Sequence, residues 1–182
     1  GGNVVVDHCT IEGNMKPAAR SVGGEGVHCE IDESISPERI TLNDCRIVNN
    51  AYARVSLPLS SVGGGGLYIW GQSIRVTRCI ITGNSSSADG GGIYLAGDPE
   101  GTGSPEFHDC LIAGNSAARA GGGVYAENSN PYFINCTLDN NHAGSRGGAL
   151  YNFQNQAYSA QIGRASCRDR VSISEVAVSL KK

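Results

Sequence analysis

A tyrosine or histidine recurs at one fixed place in this sequence, directly after the apolar residue that closes a glycine-rich run. The runs read GGEGVHC, GGGGLYI, GGGIYL, GGGVYA and GGALYN. The recurring position holds His28, Tyr68, Tyr94, Tyr125 and Tyr151, and the position two residues later holds Glu30, Trp70, Ala96, Glu127 and Phe153. Aromatic faces stack on flat apolar surfaces and carboxylates accept hydrogen bonds from hydroxyls, so these residue types suit the binding of a glycan.

The glycine-rich runs belong to a larger repeat that must position these residues. Five copies of a cysteine-centred motif read VVVDHCTIEGN, ITLNDCRIVNN, IRVTRCIITGN, EFHDCLIAGN and YFINCTLDNN. Their cysteines are separated by 36, 34, 31 and 26 residues. A unit of this size indicates a solenoid, in which each repeat buries its apolar residues against its neighbours.

Apolar residues alternate within each repeat with the period of two that is typical of β-strands. In the third repeat Ile74 and Val76 alternate, two residues intervene, and Cys79 and Ile81 alternate. This pattern predicts two short strands joined by a tight corner, and a third strand after the glycines. The corner residue is His8, Asp44, Arg78, Asp109 or Asn135. Aspartate, asparagine and histidine tolerate the left-handed conformation that a tight corner needs, and Arg78 is the exception. The sequence therefore predicts an all-β parallel β-helix with three strands per coil and about five coils.

Two columns of polar or weakly polar residues are predicted to stack inside the coils. The cysteine column comprises Cys9, Cys45, Cys79, Cys110 and Cys136, and the asparagine column comprises Asn14, Asn50, Asn84, Asn115 and Asn141. Strands of neighbouring coils lie about 4.8 Å apart, which is longer than the roughly 3.8 Å between Cβ atoms that a disulfide prefers. We therefore expect stacked free thiols, with disulfides between coils as the alternative, and an amide ladder that satisfies turn backbone groups. Cys29 is expected in the core.

The motifs I-x-V-x-x-C-x-I-x-G-N and G-G-G-I-Y resemble those of right-handed parallel β-helix proteins with pectin-lyase-like topology. The resemblance covers residues 3 to about 158 and is strongest for bacterial secreted and cell-surface repeat proteins. It includes the GGAL sequence of residues 147–150. It implies a right-handed, single-stranded β-helix, and it implies that a ligand surface would lie on the sheet formed by the third strands.

The family that the chain resembles includes polysaccharide-cleaving enzymes, but the recurring positions of this chain lack the catalytic residues that such enzymes require. Paired glycosidase carboxyl groups lie roughly 5 to 9.5 Å apart, whereas Glu30 and Glu127 belong to strands three spacings apart, about 14 Å. Neither position holds an arginine or lysine to serve as the base of a lyase. The sequence therefore predicts no catalytic residue, no metal ligand and no cofactor.

A candidate contact surface follows from the two aromatic positions. It comprises Glu30, Tyr68, Trp70, Tyr94, Tyr125 and Glu127. Long insertions beside the first three coils predict a groove over this surface, and the loops of a solenoid often mark its binding face. Aromatic stacking that stabilises the sheet is the more ordinary interpretation of the same column, and contact with a glycan or partner is the other.

Residues 162–182, IGRASCRDRVSISEVAVSLKK, resemble the translation of a common sequencing adapter. We expect residues 1–161 to be a fragment of a longer β-helix and residues 162–182 to be a non-native tail, either loosely attached or forming an imperfect extra coil.

The whole chain has a net charge of −3. The tail carries 5 basic and 2 acidic residues, so the remainder has 9 basic and 15 acidic residues. An acidic surface argues against nucleic acid as a partner, and no segment is apolar enough to span a membrane.

These observations predict a non-catalytic extracellular or cell-surface β-helix with an adhesive, structural or glycan-binding role. Its partners would be an extended glycan or a cell-surface protein. The alternative is a carbohydrate-active β-helix enzyme, a polysaccharide lyase or glycoside hydrolase, whose catalytic coils lie outside this fragment.

Overall fold

The computed structural model describes residues 3–16, 25–30, 40–53, 63–71, 74–97, 104–153, 161–163, 166–167 and 171–174, with backbone placement alone at Lys16, at Glu30 and from residue 161 onward. Within these residues the secondary structure is entirely β. Coil one contains β1 (Val4–Asp7), β2 (Thr10–Glu12), β3 (Met15–Lys16) and β4 (Val27–Glu30). Coil two contains β5 (Ile40–Asn43), β6 (Arg46–Val48), β7 (Ala51–Tyr52) and β8 (Leu67–Trp70).

The next three coils repeat this arrangement. Coil three contains β9 (Ile74–Thr77), β10 (Ile80–Thr82), β11 (Ser85–Ser86) and β12 (Ile93–Ala96). Coil four contains β13 (Glu106–His108), β14 (Leu111–Ala113), β15 (Ser116–Ala117) and β16 (Val124–Glu127). Coil five contains β17 (Tyr132–Ile134), β18 (Thr137–Asp139), β19 (His142–Ala143) and β20 (Leu150–Phe153). A partial sixth coil contains β21 (Gln161–Gly163), β22 (Ser166–Cys167) and β23 (Val171–Ser174).

Equivalent strands of successive coils pair in parallel and form four sheets. Sheet A has the order β1-β5-β9-β13-β17-β21, and sheet B has the order β2-β6-β10-β14-β18-β22. Sheet C has the order β3-β7-β11-β15-β19, and sheet D has the order β4-β8-β12-β16-β20-β23. The predicted all-β parallel β-helix is confirmed, but the prediction of three strands per coil is wrong. The strands of sheet C were missed because each has only two residues, and stretches such as Ser85–Ser86 show no apolar alternation.

The predicted corner between the first two strands of each coil adopts the left-handed conformation in all five coils. Even Arg78 has a φ of 51°, close to the 50° of Asp44 in the preceding coil. Arg78 donates to both carboxylate oxygens of Asp44, at 2.8 and 2.6 Å. This bidentate pair links the equivalent corners of two neighbouring coils.

The core is a set of stacked columns enclosed by the sheets. Ile47, Ile81, Ile112 and Leu138 form one column on the inner face of sheet B. On the inner face of sheet A, Phe107 stacks on Phe133 with ring centroids 4.9 Å apart. Both rings are fully buried. Each residue thus packs against its equivalent in the next coil, as expected of a solenoid.

The cysteine column forms as predicted inside the coils, with one exception. Cys45, Cys79, Cys110 and Cys136 are buried free thiols, and Cys29 is buried at its separate core position. Cys9 is exposed, which corrects the expectation that all five lie inside. Its coil has a described neighbour on one side only, so no second layer of side chains covers it. The thiols donate to the carbonyl two residues earlier, for example from Cys45 to Asn43 at 3.0 Å.

The asparagine column forms the predicted amide ladder. Each side chain donates to the Oδ1 atom of the next, with distances of 2.9 to 3.0 Å from Asn14 through Asn141. Each Oδ1 atom also accepts the backbone N–H of the preceding ladder residue, as Asn84 does from Asn50 at 3.0 Å. The ladder therefore satisfies the backbone at the corner between sheets B and C, where no strand pairing can do so.

Candidate functional site

The outer face of sheet D carries the two columns that the sequence singled out. The register pairs Tyr94 with Tyr68 and Tyr125, and pairs Ala96 with Trp70 and Glu127. Since side chains alternate along a strand, the two columns share the outer face of the sheet. Glu30 is paired with Trp70 through the backbone, and its side chain lies outside the described residues.

The tyrosine column forms a continuous stack outside the coils. Ring centroids are 5.5 Å apart between Tyr68 and Tyr94, 4.9 Å between Tyr94 and Tyr125, and 5.5 Å between Tyr125 and Tyr151. His28 extends the stack, 4.8 Å from Tyr68. Neighbouring rings therefore occupy both faces of Tyr68, Tyr94 and Tyr125, which leaves no face for a sugar ring.

Tyr68 and Tyr94 were predicted to belong to the contact surface, but a ligand cannot reach them, because their exposed fractions are 4% and 1%. Tyr125 is half-buried. The rings lie against the glycine corner that precedes each strand of sheet D. At Gly90 the backbone has a φ of +67°, and an added Cβ would lie 2.9 Å from the Cβ of Tyr94. Glycine is required there because it allows both the left-handed backbone and the close approach of the tyrosine.

The second column keeps the exposure that a contact surface needs. Trp70 is 47% exposed, while Ala96 and Glu127 beside it along the helix axis are half-buried. The small side chain of Ala96 separates the indole from the carboxylate. Two strand spacings place the backbones of Trp70 and Glu127 about 10 Å apart. Trp70, Ala96 and Glu127 form a surface that we call the Trp–Glu strip.

The tyrosine hydroxyls connect this face to charged groups. Tyr94 donates a hydrogen bond to the Oε2 atom of Glu127, and Arg146 donates to the hydroxyl of Tyr151 at 3.2 Å. Burial, reinforced by the charge of Glu127, raises the pKa of the Tyr94 hydroxyl far above its ordinary value. Tyr94 is therefore a permanent hydrogen-bond donor at any physiological pH.

Asp89 is a buried acid at the edge of this face. Its carboxylate accepts the backbone N–H of Ala120 at 3.0 Å and lies 3.4 Å from the guanidinium of Arg119. Burial raises the pKa of Asp89, and the charge of Arg119 opposes that shift. Sequence reasoning missed Asp89, Arg119 and Arg146, because the glycine corner was interpreted through its glycines alone. The signal was a charged residue one or two positions before the glycine run in the last three coils.

Two groups elsewhere have charges but do not form a comparable surface. On sheet A, Arg75 pairs with Glu106 at 2.7 Å. At the corner between sheets A and B, Asp7, His8 and Asp44 could each direct a ligand atom toward a shared cation. Arg78 already occupies both oxygens of Asp44, so this group is explained as a surface ion pair.

A cavity of about 240 Å³ lies on coil five, between Asn141 and Gly148. It borders β19, the last strand of sheet C. It is formed by different residues from the Trp–Glu strip. The loops that were predicted to wall a groove, at residues 17–24, 31–39, 54–62 and 98–103, lie outside the described residues, so the groove stays a prediction.

The described part of the chain contains no helix with the length and apolarity needed to span a membrane. Searches of curated proteins and of solved structures found no match. A family model described as "Right handed beta helix region" matches residues 1–161. That match covers all five complete coils, including the strands that carry the tyrosine stack and the Trp–Glu strip. The four parallel sheets agree with it, and the chain belongs to the right-handed β-helix family, whose topology is that of the pectin-lyase-like proteins.

Proposed function

We propose that this β-helix binds an extended glycan along the outer face of sheet D and has no catalytic role of its own. The observation that carries the proposal is the half-exposed indole of Trp70, on a face where Tyr68, Tyr94 and Tyr151 are buried. Isolated apolar side chains occur on many protein surfaces. Trp70 differs because it is large and flat and adjoins Ala96, which leaves room over the sheet.

The acid on the strip complements the indole. Glu127 is half-buried and orientated by Tyr94, so its carboxylate is held in place while one oxygen remains to accept a hydroxyl. A ligand that lies along the helix axis would meet the indole and the carboxylate in succession. Tyr68, Tyr94 and Tyr125 form the neighbouring column on the same face and support the strip from the side. The proposed setting is extracellular or at the cell surface, where glycans of this kind are found.

The test is a glycan screen followed by calorimetry with the Trp70→Ala variant. We expect the dissociation constant to rise at least tenfold, which corresponds to about 1.4 kcal/mol. Leu111→Ala is the matched control, because Leu111 is an exposed apolar residue, 37% exposed, on sheet B. It should bind as the unchanged chain does. Equal binding by both variants would remove the Trp–Glu strip as the site, and cleavage of the polysaccharide by this chain would replace the binding role by an enzymatic one.

A further inference from the structure

The hydroxyl of Tyr94 connects the tyrosine stack to the surface proposed to bind the glycan. Tyr94 is only 1% exposed, so a ligand cannot reach it. Its hydroxyl nevertheless bonds to the Oε2 atom of Glu127, and Glu127 is half-buried on the Trp–Glu strip. We infer that Tyr94 is a positioning residue that fixes the Glu127 carboxylate as an acceptor for sugar hydroxyls and thereby selects neutral glycans over polyuronates. This inference rests on the proposed glycan binding.

The positioning follows from the constraints on both partners. The ring of Tyr94 is held between Tyr68 and Tyr125, with centroids 5.5 and 4.9 Å away. Its hydroxyl therefore has little freedom, and it stays protonated because burial raises its pKa. A glutamate side chain loses rotamer entropy when it binds a ligand. A carboxylate that is already held by a fixed donor has lost that freedom beforehand, and preorganisation of this kind strengthens binding.

The selectivity follows from the chemistry of the ionised carboxylate, which has no proton to donate. The group it recognises must be a donor, and a sugar hydroxyl meets that requirement. The carboxylate of a uronic acid is an acceptor with the same charge, so its approach to Glu127 is unfavourable. Nearby Asp89 is also acidic, although Arg119 pairs with it at 3.4 Å. The strip thus presents an acid and an indole, and no cation of its own.

Tyr94→Phe tests the positioning, since it removes the hydroxyl and keeps the ring in the stack. With a neutral hexasaccharide such as cellohexaose, we expect its dissociation constant to rise about five- to tenfold, within the range of one charge-assisted hydrogen bond. Tyr151→Phe is the matched control, because Tyr151 belongs to the same stack but bonds to Arg146. It should leave binding unchanged.

A double-mutant cycle separates positioning from a loss of packing. In a Glu127→Ala background, Tyr94→Phe should cause no further loss of binding, because the group through which it acts is gone. An equal loss in both backgrounds would overturn the inference. If Trp70→Ala and Glu127→Ala also had no effect, the proposed function itself would fail, so the two failures are distinguishable.

Glu127→Gln tests the selectivity without disturbing the tyrosine stack. Its amide oxygen can still accept from Tyr94, while its NH₂ group replaces the oxygen that faces the ligand. The unchanged chain should bind the neutral hexasaccharide and reject hexagalacturonate, and the variant should gain at least tenfold in affinity for hexagalacturonate. Binding of the uronate by the unchanged chain, or an unaltered preference in Glu127→Gln, would refute the proposed selectivity.

Discussion

Replacing Asn84 by alanine should destabilise the β-helix far more than the same change at Asn14. Asn84 occupies the middle of the amide ladder and is 1% exposed. Its Oδ1 atom accepts from the backbone and from the side chain of Asn50, both at 3.0 Å. Its Nδ2 atom donates to the carbonyl of Ile47 at 2.9 Å and to Asn115 at 3.0 Å. Alanine removes all four hydrogen bonds at once.

The magnitude follows from what is left unpaired. Each bond contributes about 1 kcal/mol net, and an abandoned buried donor costs about 1 to 3 kcal/mol. Loss of four bonds, with the backbone N–H of Asn50 left without its acceptor, predicts a decrease of about 4 to 6 kcal/mol in the free energy of unfolding. The side chain of exposed Asn14 makes a single ladder bond, to Asn50 at 2.9 Å, so Asn14→Ala should cost about 1 kcal/mol or less.

Urea unfolding followed by circular dichroism measures both variants. The slope of free energy against urea must match that of the unchanged chain, because only then does a shifted midpoint report stability. Asn84→Asp adds a sharper comparison, since it keeps the accepting oxygen but sets a second oxygen against the carbonyl of Ile47 and the amide oxygen of Asn115. Equal losses for Asn84→Ala and Asn14→Ala would refute the view that the ladder satisfies the buried corner.

Three further outcomes are expected. Burial raises the pKa values of Tyr94 and Tyr125, so both tyrosines stay protonated in the folded chain above pH 10, whereas tyrosines of the unfolded chain ionise there. The free energy of unfolding should therefore be unaffected below pH 10. Above pH 10 it should fall by up to about 1.4 kcal/mol per pH unit for Tyr94, and by less for half-buried Tyr125. This is measured by unfolding at pH 8 to 12, and Tyr94→Phe should reduce the decline. In a Cys167→Ser background, a thiol reagent should modify exposed Cys9 at once, but Cys29 only when the chain unfolds. Burial shields Cys29 and raises its pKa to about 11. Modification of both thiols at one rate would contradict the burial of Cys29. Deleting residues 162–182 should lower the unfolding midpoint, since β21, β22 and β23 pair with coil five, and an unchanged midpoint would mean that the sixth coil adds nothing.

Much of the fold could be predicted from the sequence because a solenoid repeats its constraints. A single alternating segment is ambiguous, but five aligned copies identify which residues share a column. The ladder asparagines and the core cysteines were found in this way. The left-handed corner was predicted from the aspartate, asparagine or histidine of four coils, with Arg78 as the exception, yet Arg78 adopts it too. Its φ of 51° shows that the position in the repeat outweighs the preference of the side chain.

The structure shows the aromatic stacking that was one of the two interpretations of the tyrosine column. Alternation alone could not decide between them, because it states only on which side of a sheet a residue lies. It does not state what covers that side. Tyr94 and Trp70 both lie on the outer face of sheet D, yet their exposed fractions are 1% and 47%. The difference arises from the glycine corner and from the neighbouring rings, which are features of three dimensions. For the same reason the hydrogen bond between Tyr94 and Glu127 had no signal in the spacing.

The sixth coil shows which features of a coil need only backbone hydrogen bonds and which need particular side chains. Its strands continue sheets A, B and D in register, with Ile162 opposite Phe133, Cys167 opposite Leu138 and Val171 opposite Leu150. Parallel pairing needs only backbone groups, so an alternating segment of any origin can add to the end of such a stack. Among the described residues, in contrast, sheet C and the asparagine ladder extend no further than coil five. Only three residues separate β22 from β23, compared with ten between β18 and β20. These three residues have the sequence RDR, so they contain neither the asparagine nor the glycine run that makes the first five coils equivalent.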